Sequence, residues 1–203
     1  MSELKTPEDI RAHYAEPHPL AKNKELRRLD HHCRQFISLS PFVVISTSDE
    51  SGRCDATPRG DAPGFVAAVD DRTLLIPDRT GNNRVDTMLN IAENPHVGLL
   101  FLVPGMAETL RVNGRATITI DADILALLAA QGKPPQAAIR VDIEEIYFQC
   151  GKALMRSELW NADKHVPRET FAPFGQIFSE HSKTQYDPAI ETILDEEYRT
   201  NLY

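Results

Sequence analysis

The chain has 203 residues, of which 41% are hydrophobic and 26% charged, and a formal net charge of -8. That length supplies a full core unaided, and the acidic balance argues against a nucleic acid or an anionic membrane surface as the main partner, since both reward a basic face. Three widely spaced cysteines, Cys33, Cys54 and Cys150, are odd in number and fit no CxxC pattern, so neither a disulfide framework nor a zinc cluster is indicated.

The first ten residues, MSELKTPEDI, are charged from the third onward and lack a signal-peptide core. The longest apolar run, VGLLFLV, is too short to span a bilayer, so the expected location is the cytoplasm. Thr6 and Asp9 form a capped start for a first helix, and Leu26, Leu29, Cys33, Phe36 and Ile37 recur at helical spacing in a second. A β-rich middle follows. FVVISTS, CDATPRG, GFVAAV and TLLIP read as four successive strands of an antiparallel meander, with turns at DESGR and DDR.

The stretch IPDRTGNNR, Ile76 to Arg84, ends that run. Pro77, Asp78, Gly81 and Asn82 satisfy a turn by themselves, so Arg79 and Arg84 are surplus and point to an anion. From Arg53 to Arg115 the chain carries seven arginines and no lysine, although seven lysines occur elsewhere. The planar guanidinium fork suits bidentate phosphate recognition, where lysine acts as a point charge. Asn82 or Asn83 is placed to cap a short helix with Val85, Met88, Leu89 and Ala92 inward, which puts the loop at a helix N-terminus whose free N–H groups and dipole favour a phosphate.

HVGLLFLV reads as a strand buried on both faces, at a barrel core or a subunit contact. TLRVNGRATITI alternates, with Leu110, Val112, Ala116, Ile118 and Ile120 on one face and Arg111, Asn113, Arg115 and Thr117 on the other. DADILALLAA is a capped helix, and AAIRVDIEEIYFQC is a long strand whose apolar parity slips between Ile143 and Ile146, predicting a β-bulge at Glu144 or Glu145. Six or more strands with inserted rather than alternating helices predict an antiparallel barrel, not a Rossmann sheet.

DATPRGD through ETLRVNGRA, followed by CGKALMRSELW, resembles the FMN-binding split-barrel family related to pyridoxamine phosphate oxidase, over roughly residues 35–160. The resemblance implies a mainly β fold, a six-stranded antiparallel split barrel with N- and C-terminal helices. It spans one domain over 1–203: a helical segment at 1–38, the barrel at 42–150 and a helical tail at 151–203. It also implies a homodimer with FMN in a groove to which both chains contribute. Its phosphate contacts map onto Arg59 with Gly60, and onto Asn83 with Arg84, beside Arg79 and Asn82. Ile76, Pro77 and Asp78 would line the flavin ring with their backbone. Thr109 replaces a glutamine of the oxidase's version of TLRV, and Arg111 follows it on the strand. Lys152, Arg156 and Trp160 would reach the flavin of the neighbouring subunit.

The oxidase itself ends in a tryptophan- and arginine-rich segment, whereas this chain ends EYRTNLY, so vitamin B6 oxidation is not implied and the substrate is open. RGD at Arg59 to Asp61 reads as a coincidental tripeptide. Neighbouring histidines in HHC diverge by about 100° on a helix and cannot chelate together, so no metal site is expected. No GxSxG, Walker or GxGxxG motif is present, and no catalytic acid–base pair can be assigned. A flavin ring carries hydride or electrons itself, which makes an FMN-dependent oxidoreductase acting on a small molecule the leading reading. The alternative is a non-catalytic protein that binds or senses flavin or haem.

Overall fold

The computed structural model describes residues 3–203. Thr6 closes a reciprocal capping box with Asp9 at the start of α1 (Pro7–His13), as the spacing predicts, and a single turn, α2 (Pro19–Lys22), follows. Asp30 caps α3 (His31–Leu39), its Oδ1 accepting from the Cys33 N–H at 2.8 Å, and the helix buries Cys33, Phe36 and Ile37. Leu26 and Leu29 lie outside that helix: Leu26 exchanges backbone hydrogen bonds with Ile146, and the Leu29 N–H donates to the Asp71 carbonyl.

The strands are β1 (Phe42–Ser48), β2 (Cys54–Gly60), β3 (Ala67–Ala68), β4 (Thr73–Asp78), β5 (His96–Leu102), β6 (Thr109–Thr119) and β7 (Ala137–Gln149). They form one antiparallel sheet in the order β2-β1-β5-β6-β7-β4-β3, the split-barrel arrangement with helices that the sequence leads one to expect. The simple meander is corrected. β1 and β2 pair as a hairpin, but β4 crosses to the far side and pairs with β7, and the predicted third strand shrinks to two paired residues. β4 is apolar on both faces and buried from Thr73 to Pro77, as a strand enclosed in the barrel wall beside β7 requires.

The core lies inside the curled sheet, where Val43, Ile45, Leu74, Ile76, Leu99, Phe101, Leu110, Val112, Ile139 and Val141 are almost wholly shielded. Burying each such side chain contributes about 1.5–3 kcal/mol, which makes this cluster the main source of stability. The predicted β-bulge falls at Glu144: Asn113 faces Glu145, Gly114 faces Ile143, and Glu144 is the extra residue. Gly114 is required there because a Cβ would run into the Asp142 carbonyl oxygen and carbon.

Two facing assignments are corrected. Along β6 the inward row ends at Ala116, and Ile118 and Ile120 are exposed by 38% and 77% as the strand runs past the core. The helix after the arginine loop, α4 (Asp86–Glu93), starts later than the asparagines suggest, with Val85 at its N-cap and no side-chain cap. It turns Thr87 and Ile91 inward and leaves Val85, Leu89 and Ala92 outward. The cause is two left-handed residues, Asn83 at φ 55° and Val85 at φ 52°, which swing the chain before the helix begins. α5 (Ala122–Leu127) is capped by Asp121, which accepts from the N–H groups of Asp123 and Ile124. The tail carries α6 (Lys152–Ser157), α7 (Phe174–His181) and α8 (Ala189–Thr200).

Candidate functional site

The curl of the sheet brings the end of β2 near the end of β4, and the seam between them is an open cleft of about 680 Å³. Along β2, Asp55, Thr57 and Arg59 are the half-buried row, while the residues between them are exposed. Arg79 to Asn82, Arg84 and Val85 of the loop, the first turn of α4, Phe65, Leu202 and Tyr203 are also in the lining.

Two ion pairs cross the seam in opposite senses. Arg59 of β2 donates to Asp78 of β4, and Arg79, the residue just after β4, donates through Nε to Asp61 Oδ2 at 2.8 Å. Arg-x-Asp on one edge thus meets Asp-Arg on the other, and all four side chains are at most 22% exposed. Arg79 is held at two points, because its Nη1 also donates to the Leu128 carbonyl at 2.9 Å. Asp61 accepts in addition from the Ala62 N–H at 2.7 Å and from the Tyr203 hydroxyl at 2.6 Å. Burial pushes the Asp61 carboxyl up, but the hydrogen bonds from Tyr203, Ala62 and Arg79 outweigh it and hold the group below its ordinary range. The same bond, with Asp61 as acceptor, raises the Tyr203 phenol.

The remaining cations have capacity to spare. The Nε of Arg59 is buried without a hydrogen-bond partner. Arg84 is 75% exposed and paired only with its neighbour Asp86 at 2.9 Å. Because Val85 provides no side-chain cap, the first N–H groups of α4 also lack a side-chain acceptor at the cleft wall. Val85 itself holds a left-handed conformation that a β-branched residue rarely adopts, a strain that clusters at ligand sites.

Of the residues singled out from sequence, the cleft gathers Arg59, Gly60, Pro77, Arg79, Asn82 and Arg84. Ile76 is wholly buried with its side chain in the core, Asp78 sits behind Arg59, and Asn83 forms the turn without lining the cleft. Thr109 is buried against Gln149, and Arg111 is exposed with its guanidinium over the Tyr147 ring. Lys152 and Arg156 share the exposed helix α6, and Trp160 donates to the Met106 carbonyl at 2.7 Å. Within one chain this second group is not brought to the cleft. Sequence reasoning missed Asp61 and Tyr203. The first was legible in the reciprocal spacing of RGD and DR, whereas Tyr203 lies 142 residues from Asp61 and leaves no local signal. Among the described residues, no three His, Cys, Asp or Glu side chains converge as a metal site, and no helix is long and apolar enough to cross a membrane.

An antiparallel split barrel with a ligand-sized cleft at its seam defines the class. Residues 29–150, more than half of the chain, match the family described as pyridoxamine 5'-phosphate oxidase, and the chain belongs to that family. No curated protein matches. Similar solved structures include HupZ of Group A Streptococcus, at 18% identity and TM-score 0.49 over 58% of this chain and 91% of that one. Another is a protein of Clostridium acetobutylicum related to general stress protein 26, at 15% identity and TM-score 0.44 over 59% and 86%. An FAD-binding protein of Mesorhizobium loti has 15% identity and TM-score 0.41 over 60% and 95%.

Proposed function

We propose that the cleft binds FMN and that the protein is an FMN-dependent oxidoreductase, moving a hydride or electrons between a reduced nicotinamide or similar donor and a small acceptor. The observation that carries this reading is the orphaned, buried Nε of Arg59, with the exposed guanidinium of Arg84 and the uncapped start of α4 in the same cleft. Together they leave N–H donors without acceptors on both arginines and the helix start, which is what a phosphate supplies.

The cleft lining holds three arginines, Arg59, Arg79 and Arg84, against three aspartates, Asp55, Asp61 and Asp86. Recognition therefore rests on directed bonds and not on a net positive field. Arg59 and Arg84 would hold the phosphate, and Arg79 would fix the loop by its bonds to Asp61 and Leu128. Pro77, at the buried end of β4, would present a rigid wall to the ring. FMN, when bound, supplies the hydride-carrying chemistry, so the chain needs to bind, orient and shield and requires no acid–base pair of its own. A homodimer with FMN at the subunit interface would let Lys152, Arg156 and Trp160 reach the partner's cleft. Three free cysteines fit a reducing compartment, the cytoplasm.

The test is a titration of the apo-protein with FMN, followed by addition of NADH or NADPH. Wild type is expected to bind and to bleach. Arg84→Ala is expected to weaken binding by about 1.5–3 kcal/mol, the worth of a charge-assisted bond, with the fold intact. Arg59→Ala should lose less, because Asp78 already satisfies part of its guanidinium. Wild-type affinity in both variants rejects the phosphate assignment, and binding without bleaching under any reductant rejects the enzyme.

A further inference from the structure

The corner of the cleft around Asp61 is already filled by the chain itself. Tyr203 donates its hydroxyl to Asp61 Oδ1 at 2.6 Å, its ring lies 5.7 Å from the Arg79 guanidinium carbon, and its main-chain oxygen accepts from Lys133 Nζ at 2.9 Å. Leu202 beside it lines the same cleft. We propose that Leu202–Tyr203 is a displaceable plug, in which the Tyr203 phenol acts as an internal ligand of the Asp61–Arg79 corner and must leave before an aromatic phosphate fills the cleft. This rests on reading the cleft as a ligand site.

Three features make the segment a plug and not a fixed wall. Asp61 keeps partners without the tyrosine, since the Ala62 N–H and the Arg79 Nε still donate to it. The segment is lightly tethered: α7 and α8 pack chiefly on each other, and α8 ends at Thr200, three residues before Tyr203. What the phenol offers is a ring over a guanidinium and an O–H on a carboxylate, and a planar heteroaromatic ligand with ring N–H groups can offer the same pair. A ligand that binds only the unplugged form has its apparent affinity reduced by the unplugged fraction, so a plug seated about 90% of the time weakens it about tenfold.

The experiment labels the five tyrosines with 3-fluorotyrosine and assigns the Tyr203 fluorine signal by Tyr203→Phe. In the ligand-free protein that signal is expected to shift on Asp61→Asn. A signal indifferent to that change overturns the docking, and a variant that still shows the other four tyrosine signals unmoved excludes unfolding as the cause. Saturation with FMN is expected to move the Tyr203 signal to the position of a solvent-exposed tyrosine, and Tyr203→Ala is expected to bind FMN about tenfold tighter. A Tyr203 signal that stays docked at saturation, or an affinity unchanged or weakened in Tyr203→Ala, overturns the plug. If no variant binds FMN, the flavin reading falls by itself. Phenyl phosphate then serves as the probe, with the same gain expected in Tyr203→Ala and the same lack of gain overturning the proposal.

Discussion

Arg79 and Arg84 look alike in the sequence, both surplus to one turn, yet their surroundings give them opposite duties. Arg79 is largely shielded between Asp61 and the Leu128 carbonyl, whereas Arg84 stands in solvent. Removing one partner of a buried pair leaves the other charge without compensation. Arg79→Met is therefore expected to destabilise the fold by about 3 kcal/mol in chemical denaturation, against less than about 0.5 kcal/mol for Arg84→Ala. The pair also has a pH signature. Asp61 titrates below its ordinary 3.8 in the folded chain, so its contribution is fully present above that value and is lost as the pH falls through the lower folded value. Between pH 7 and pH 5 this group should contribute no change in stability. The stability lost on acidification should be smaller in Arg79→Met, where Asp61 has lost a cation that holds it low; an equal loss in both proteins would remove the Asp61–Arg79 pair from the account.

At the scale of elements, much of the fold was legible because side-chain period records which face is buried. β1 and β2 fall on the predicted residues, and the parity slip in the last long strand located its bulge. Sheet order was not legible. Which strand lies beside β7 depends on β4 being buried on both faces, a property of the assembled sheet and not of the local pattern. The start of α4 escaped for a different reason, since a left-handed valine runs against intrinsic preference and no propensity argument predicts it. The site follows the same division: the arginines were visible by type, but their pairing across the seam needs the fold. The bulge gives this level its test. Gly114 faces the backbone of Asp142, which cannot move aside as a side chain could, so Gly114→Ala should cost at least about 1–3 kcal/mol by overpacking or prevent folding. A melting temperature equal to wild type would mean that the bulge relaxes freely.

For the whole molecule, the outer face of β1 and β5 poses the largest question. Phe42, Val44, Leu100 and Leu102 lie in cross-strand register on that face, with Phe42 opposite Leu102 and Val44 opposite Leu100. None of the four is fully buried, and Phe42 is 37% exposed. Pro58 of β2 extends the row beside Val44, so the face is continuous across three strands. Away from that face, the tail exposes Phe171, Phe174 and Phe178, at 69%, 48% and 58%. Soluble monomers rarely leave contiguous apolar surface of this kind in water, and a two-fold pairing of identical faces covers it at no cost in new sequence. The expected state is a dimer whose interface takes in the β1–β5 face. Light scattering at micromolar concentration should give twice the 22.8 kDa chain mass. Val44→Glu with Leu100→Lys would place charges on the outer side, away from the core residues Ile45 and Leu99. That double variant should scatter as a monomer while retaining its β-sheet circular dichroism. A wild-type mass of one chain would refute the dimer, and a double variant that remains dimeric would move the interface to another face.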